Sequence, residues 1–195
     1  MGKRQINRAE KAIRQSFIQL MTQYPFESIT ATAIIEAAKY SRRAFYTYYK
    51  DKYDLASKIM EDEINNFVGI IMKALDTQNG VYYITTELYD PAYNLFAHVY
   101  DNKDLYGLIL KSKMPGFPVD KFCSATYEEF KKKIRIDSLP CGINEDFYFY
   151  VHTYIYIIYI KYWEKNNFEF SPKFMAEQVT HMNSMNSIRA LEIMK

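Results

Sequence analysis

Glycine and proline are scarce in this chain, six of each in 195 residues, and long stretches contain neither. That argues against a turn-rich all-β fold and in favour of helices, which both residues interrupt. Cysteine is scarcer still. Cys123 and Cys141 show no metal-ligand spacing and no accompanying histidine pattern, so they read as two reduced thiols rather than a disulfide framework or a zinc site. No metal and no cofactor is expected. The longest uncharged apolar stretch, Phe147–Ile160 with His152 inside it, has fourteen residues, short of the roughly 20 that a membrane-spanning helix needs. The N-terminus is charged with no apolar segment behind it, so no secretory signal is expected. A cytoplasmic protein without a membrane partner is expected. Also missing are a supported Ser/His/Asp or Cys/His arrangement and a phosphate-binding glycine loop, so no enzyme is expected.

What is present is apolar and aromatic: 49% hydrophobic and 17% aromatic residues call for a packed protein rather than a disordered one. The formal net charge of +2 hides an asymmetry. Residues 1–53 hold ten basic side chains (Lys3, Arg4, Arg8, Lys11, Arg14, Lys39, Arg42, Arg43, Lys50, Lys52) against four acids (Glu10, Glu27, Glu36, Asp51), or +6; the remainder is −4. A basic head on a mildly acidic body suits a partner carrying phosphates, engaged by one end of the chain.

Hydrophobic periodicity divides the chain into helices. Ile6, Ala9, Ile13, Phe17, Leu20 and Met21 recur at three- and four-residue steps, which predicts a helix over 7–24 that Pro25 stops. Thr30 caps a short helix through Ala38. After a Lys39-Tyr40 turn, Ser41 caps another from Arg42 to Tyr49. Asp51 begins a longer helix reaching about Leu75. Beyond the Asp76–Gly80 break, helices are predicted at 82–101, 103–113, 119–135, 145–165 and 172–193. Tyr154–Ile160 favours a strand by propensity. The run 145–165 lacks Gly and Pro, however, and sets Phe147, Val151, Tyr154, Ile158 and Tyr162 on one helical face, so a helix is expected.

Three short helices with two tight turns, the last basic and aromatic, suggest a helix-turn-helix. The stretch Ile29–Leu55, ITATAIIEAAKYSRRAFYTYYKDKYDL, resembles the DNA-binding signature of the TetR family of bacterial regulators. The matching residues are Thr30, Ile34, Ala37, Ala38, Ser41, Ala44-Phe45-Tyr46, Tyr48-Tyr49, Lys50-Asp51-Lys52 and Asp54-Leu55. The Tyr49–Leu55 segment looks like a variety common in Gram-positive bacteria. The resemblance implies an all-α fold, with a three-helix DNA-binding head (1–53) and a helical effector-binding and dimerisation body (54–195). Ile34, Ala38, Phe45, Tyr49, Leu55 and Phe17 would form the core of the head, with Ala37 and Ala38 allowing close helix crossing. Arg42 and Arg43 would open the recognition helix, where side chains meet base edges in the major groove. Ala44 belongs to the same surface. Tyr46, Tyr48, Lys52 and the amide end of the helix near Asp51 would meet phosphates. Thr30, Arg4 and Arg8 would lie near the DNA backbone or a minor groove. The sequence departs from the family pattern at Lys39, where Gly or Asn is usual, and at Tyr40 and Ile35, where smaller residues are usual.

For the body, the expectation is a homodimer formed through the last two helices, with Tyr154, Ile158, Tyr162, Val179, Met182 and Met185 as interface residues. A small-molecule effector pocket would draw on Tyr83, Tyr89, Tyr93, Phe96, His98, Tyr106, Phe122 and Tyr127. The function implied is a sequence-specific repressor, released from its double-stranded DNA operator by the effector through movement of the 51–75 helix. In the alternative, the body binds a protein partner, as a co-activator or in nucleoid organisation.

Overall fold

The computed structural model describes residues 7–72, 75–78, 81–84, 89–133 and 144–184. Among these are nine α-helices and one two-stranded hairpin, so the fold is all-α with a single local exception. The chain divides into two compact units. One runs to Ile64 and takes in Asp104–Phe122; the other holds Asn65–Lys103 and continues from Cys123.

Local capping shapes the first unit. Helix α1 (Arg8–Gln23) begins at Asn7, whose side chain accepts the Glu10 amide, and it buries Ile13, Phe17 and Met21 one turn apart. Extended backbone at Tyr24 and Pro25 ends it, and a 3-10 turn (Phe26–Ser28) follows. Thr30 caps α2 (Ala31–Ala38) and Ser41 caps α3 (Arg42–Tyr48), each accepting the amide three residues on. Between them Lys39 adopts left-handed backbone (φ 57°, ψ 38°). Its N–H donates to Glu36 O and the Tyr40 N–H to Ile35 O, closing a Schellman turn. The turn thus takes the left-handed form that glycine adopts most readily, but on a lysine. Left-handed backbone costs an L-residue about 1–2 kcal/mol. Lys39→Gly should therefore raise stability by roughly 0.5–1 kcal/mol after the added freedom of the unfolded chain is subtracted. A thermal unfolding midpoint above that of the wild type checks this, and a lower one would show that the lysine side chain supports the turn.

The core of this unit contains all six side chains expected there: Phe17, Ile34, Phe45 and Leu55 at 0% exposure, Tyr49 at 1% and Ala38 at 7%. Ala37 is exposed, so close crossing rests on Ala38 alone. Ile35 is buried and Tyr40 exposed, which places the second bulky departure outside the core. Helix α4 (Lys52–Met72) opens on Asp51, whose Oδ1 accepts the Tyr53 and Asp54 amides at 2.8 Å each. Helix α6 (Lys103–Leu110) and the first turn of α7 (Val119–Lys133) complete the unit.

Two expected helices are shorter than predicted. Helix α4 ends at Met72, and α5 spans Tyr89–Asp101. Between them β1 (Leu75–Gln78) pairs antiparallel with β2 (Val81–Ile84), Leu75 opposite Ile84 and Gln78 opposite Val81. The sequence holds the reason. Asn-Gly is the dipeptide most favoured between hairpin strands, and Val81-Tyr-Tyr-Ile is β-branched and aromatic.

In the second unit α5 packs on α9 (Pro172–Ser184), and α8 (Glu145–Lys165) is one unbroken helix despite its strand-like composition. Asn144 caps it, accepting the Phe147 amide. One face buries Thr153, Ile157, Ile160 and Trp163, and that burial overrides β propensity. Trp163 meets Phe96 edge-on at 5.6 Å and stacks on Tyr100 at 5.8 Å, while its Nε1–H donates to Phe170 O at 3.1 Å. Asn167 and Phe168 both have left-handed backbone. The Phe168 ring lies 5.4 Å from Trp163 and its N–H bonds Trp163 O, contacts that hold an aromatic residue in a conformation it rarely adopts.

Candidate nucleic-acid interface

The recognition surface is built outward from Phe45. That side chain is fully buried in α3, and Tyr49, directly after the helix, is buried too. A four-residue step from one buried ring to the other leaves Arg42, Arg43 and Tyr46 on the outer face, all exposed. Arg42 reaches back to α2, where Nη2 donates to Thr32 Oγ1 at 3.1 Å. Arg43 is exposed, and among the described residues nothing holds its guanidinium. Tyr46 is 54% exposed, its ring edge-on to Phe45 at 5.3 Å. Ala44 is half-buried beside them. Thr30 is exposed at the α2 start, with its oxygen accepting the Ala33 amide at 3.1 Å and its hydroxyl proton free to donate. Tyr48 is half-buried and accepts a hydrogen bond from Asn7 Nδ2 at the start of α1. Arg8 is exposed in the first turn of α1, and Arg4 lies outside the described residues.

Two expected phosphate contacts are already committed elsewhere. Lys52 Nζ donates to Phe26 O and Ile29 O at 2.8 Å and to Glu27 O at 3.3 Å, and it sits 4.3 Å from the Phe26 ring centroid. An ammonium has three protons, so Lys52 ties the α1–α2 connection to α4 with no donor left for DNA. The amide end of α4 is likewise occupied, since Asp51 takes the Tyr53 and Asp54 amides. Lys58, which sequence reasoning did not single out, bonds Tyr48 O at 2.9 Å and Asp54 at 3.0 Å. It therefore caps the C-terminal end of α3, where a cation is favoured; its i,i+4 spacing from Asp54 was the available signal.

Beneath the surface lies a polar cluster. Arg14 Nε donates to the Tyr49 hydroxyl at 2.9 Å, and its Nη2 bonds both Glu10, at 3.4 Å, and Asp62. The Tyr49 hydroxyl donates to Glu10 at 3.3 Å. Burial holds the Tyr49 pKa up at about 12, with Glu10 adding to the rise and Arg14 opposing it.

Residues 17–59 match the family described as bacterial regulatory proteins, tetR family, and residues 86–184 match the transcriptional regulator C-terminal region of TetR type. This chain belongs to the TetR family. As a TetR-family protein it is a DNA-binding transcriptional regulator. Solved structures share the fold. A TetR transcriptional regulator from Streptococcus agalactiae is 21% identical with a TM-score of 0.55, over 91% of this chain and 94% of that one. The fatty acid degradation regulator FadR from Bacillus halodurans is 11% identical with a TM-score of 0.64, over 95% and 99%. The dihydroxyacetone kinase operon activator DhaS is 16% identical with a TM-score of 0.56, over 92% and 96%. None of the curated proteins compared with this TetR-family chain matches it.

The described residues expected to line an effector pocket fall in both units. Tyr106 and Phe122 belong to the first unit, whereas Tyr93, Phe96, His98 and Tyr127 belong to the second. Tyr106 is buried and its hydroxyl donates to Glu63 at 2.5 Å, an arrangement in which burial and that carboxylate push its pKa well above the ordinary value. Phe96 and Phe122 are fully buried core rings, Tyr93 is 41% exposed and His98 is half-buried. Tyr127 is half-buried and donates to Asp146. The side chains of Tyr83 and Tyr89 lie outside the described residues. A cleft of about 590 Å³ does open in the first unit, between Met21–Glu27 and the Ser112–Pro118 loop, but among the described residues none of those expected at an effector pocket lines it.

Of the expected interface residues, Ile158, Tyr162 and Met182 are exposed at 60%, 55% and 54%, and Tyr154 is half-buried. Val179 is 2% exposed in the core of its own unit, where α9 meets α5, so it is not available to a partner. Met185 lies outside the described residues. Among the described residues no helix is long and apolar enough to cross a membrane.

Proposed function

We propose that the chain is an operator-specific repressor that binds as a homodimer and is released by a small-molecule effector. The observation that carries the reading is α3 itself. It is a seven-residue helix fixed from behind by Phe45 and presenting Arg42, Arg43 and Tyr46 to solvent. Arg43, unheld among the described residues, is the candidate for bidentate contact with guanine in the major groove. Arg42, Ala44 and Tyr46 flank it on the bases, and Thr30 and Tyr48 stand at the edge for the DNA backbone. Lys52 serves as a brace, not as a contact. The exposed apolar face of α8 supports pairing with a second copy, which would set two heads about one helical turn apart, roughly 34–36 Å. The effector reading draws support from Thr153, fully buried in the second unit with a hydroxyl lacking a partner among the described residues. A buried unpaired hydroxyl costs about 1–3 kcal/mol, which a polar group of a bound effector would relieve.

The test is a titration of the purified chain against duplexes from its own upstream DNA at two salt concentrations, beside Arg42→Ala/Arg43→Ala. Selective binding should weaken steeply with salt, and the double variant should lose about 1–3 kcal/mol of discrimination for each guanine contact removed. Weak binding without sequence preference by the wild type would refute an operator-specific role. Transcription from the bound promoter then separates repression from activation.

A further inference from the structure

Ten basic residues give the head its positive charge, and by sequence Arg14 is one of them, a cation like the others. Its surroundings give it a different task. The Arg14 side chain is 12% exposed and lies between two carboxylates, Glu10 (2% exposed) on α1 and Asp62 on α4. Two acids on one guanidinium leave no net positive charge at that point to attract DNA. The third partner is the Tyr49 hydroxyl, at 2.9 Å from Nε. Tyr49 is the C-terminal cap of α3. One planar group therefore joins α1, the end of α3 and α4.

We propose that Arg14 is a positioning residue for DNA reading: by holding Tyr49 to Asp62 and Glu10 it fixes the orientation of α3 without touching DNA. The proposal rests on the reading of α3 as the recognition helix. Burial of Phe45 holds α3 in the unit, but apolar burial is non-directional and tolerates a tilt or rotation of so short a helix. A guanidinium fork is directional, because its hydrogen bonds weaken steeply when bent. Orientation is what base reading needs, since a bidentate Arg–guanine contact is lost with a small displacement while a phosphate contact through a flexible side chain survives it. Removing the fork should accordingly degrade selectivity and leave non-specific affinity in place.

The experiment uses the full chain and a duplex selected by the wild type from random DNA, with a scrambled duplex as the non-specific probe. Arg14→Met and Tyr49→Phe are measured against both probes over a salt series, alongside their thermal midpoints and Arg42→Ala/Arg43→Ala. The expected result for Arg14→Met is a loss of about tenfold in affinity for the selected duplex. Its scrambled-duplex affinity and salt slope should stay as in the wild type. If both affinities fall together and the salt slope drops by about one, Arg14 is a phosphate contact and the proposal is overturned. Unchanged affinities in folded variants overturn it as well, leaving the cluster a role in stability alone. Should Arg14→Met fail to fold, Tyr49→Phe, which keeps the ring in the core and removes only the hydroxyl, decides by the same readings. Selective binding retained by Arg42→Ala/Arg43→Ala would instead mark failure of the α3 reading, a result distinct from either Arg14 outcome.

Discussion

Replacing Phe45 with alanine is expected to remove about 3–5 kcal/mol of stability and to abolish selective DNA binding with it. A seven-residue helix has no independent stability in water, since even Ala-rich helices shorter than roughly 12–15 residues are marginal. Helix α3 is therefore held by what it buries. Within Arg42–Tyr48 the buried side chain is Phe45, at 0% exposure. Its ring lies 5.7 Å from that of Tyr49 and 5.3 Å from that of Tyr46, so truncation opens a cavity beside one buried and one exposed aromatic. Tyr46→Ala is the matched control. It removes a ring of similar size from the same helix, but one that is 54% exposed, and it should change stability by no more than about 0.5 kcal/mol. Denaturant unfolding of the two variants checks the contrast. A loss below about 1 kcal/mol for Phe45→Ala would mean that capping by Ser41 and the Arg14 cluster, rather than core burial, keeps α3 in place.

The parts of this molecule legible in the sequence are those decided within a few residues. Asn7, Thr30, Ser41 and Asp51 each cap the helix that follows, and a side-chain oxygen accepting an amide two or three residues on needs no tertiary knowledge to foresee. The resemblance to the TetR signature likewise placed Phe17, Ile34, Phe45 and Leu55 in a core, where they are found. Lys52 shows where such reasoning stops. Its ammonium finds carbonyls 23 to 26 residues away, and no local pattern distinguishes a lysine bound for a phosphate from one bound for a turn. Arg14 was opaque for the same reason. Its charge is visible in the sequence, but its neutralisation by Glu10 and Asp62 is not. The aromatic residues of the body were ambiguous because ring and periodicity look the same in a core as in a pocket. Phe96 and Phe122 went to the core, Tyr106 to a buried hydrogen bond. At α8 two legible signals conflicted, and the helix prevailed because Thr153, Ile157, Ile160 and Trp163 could all be buried on one helical face.

The opposite face of α8 carries the second large expected effect. Ile158→Asp/Tyr162→Asp should convert the proposed dimer to monomer, raising its dissociation constant roughly a thousandfold or more, ~4 kcal/mol. Phe147, Tyr150, Val151, Ile158 and Tyr162 are 64%, 50%, 39%, 60% and 55% exposed on one helix, a contiguous apolar surface of the kind that marks an interaction site. Around a two-fold axis each substitution enters the interface twice. The double variant thus places four carboxylates in an apolar seam, each costly to desolvate without a partner. Stability of the separate chain should change little, because both side chains already face water there. Operator affinity should fall with dimerisation, since two linked heads bind a palindrome far more tightly than either alone. Val179→Ala supplies the contrast: at 2% exposure in its own unit's core, it should lower the thermal midpoint and leave the dimer intact. Sedimentation equilibrium measures both. A double variant that stays dimeric would move the interface away from α8, and a wild type that is monomeric at micromolar concentration would remove the geometric basis for reading two half-sites.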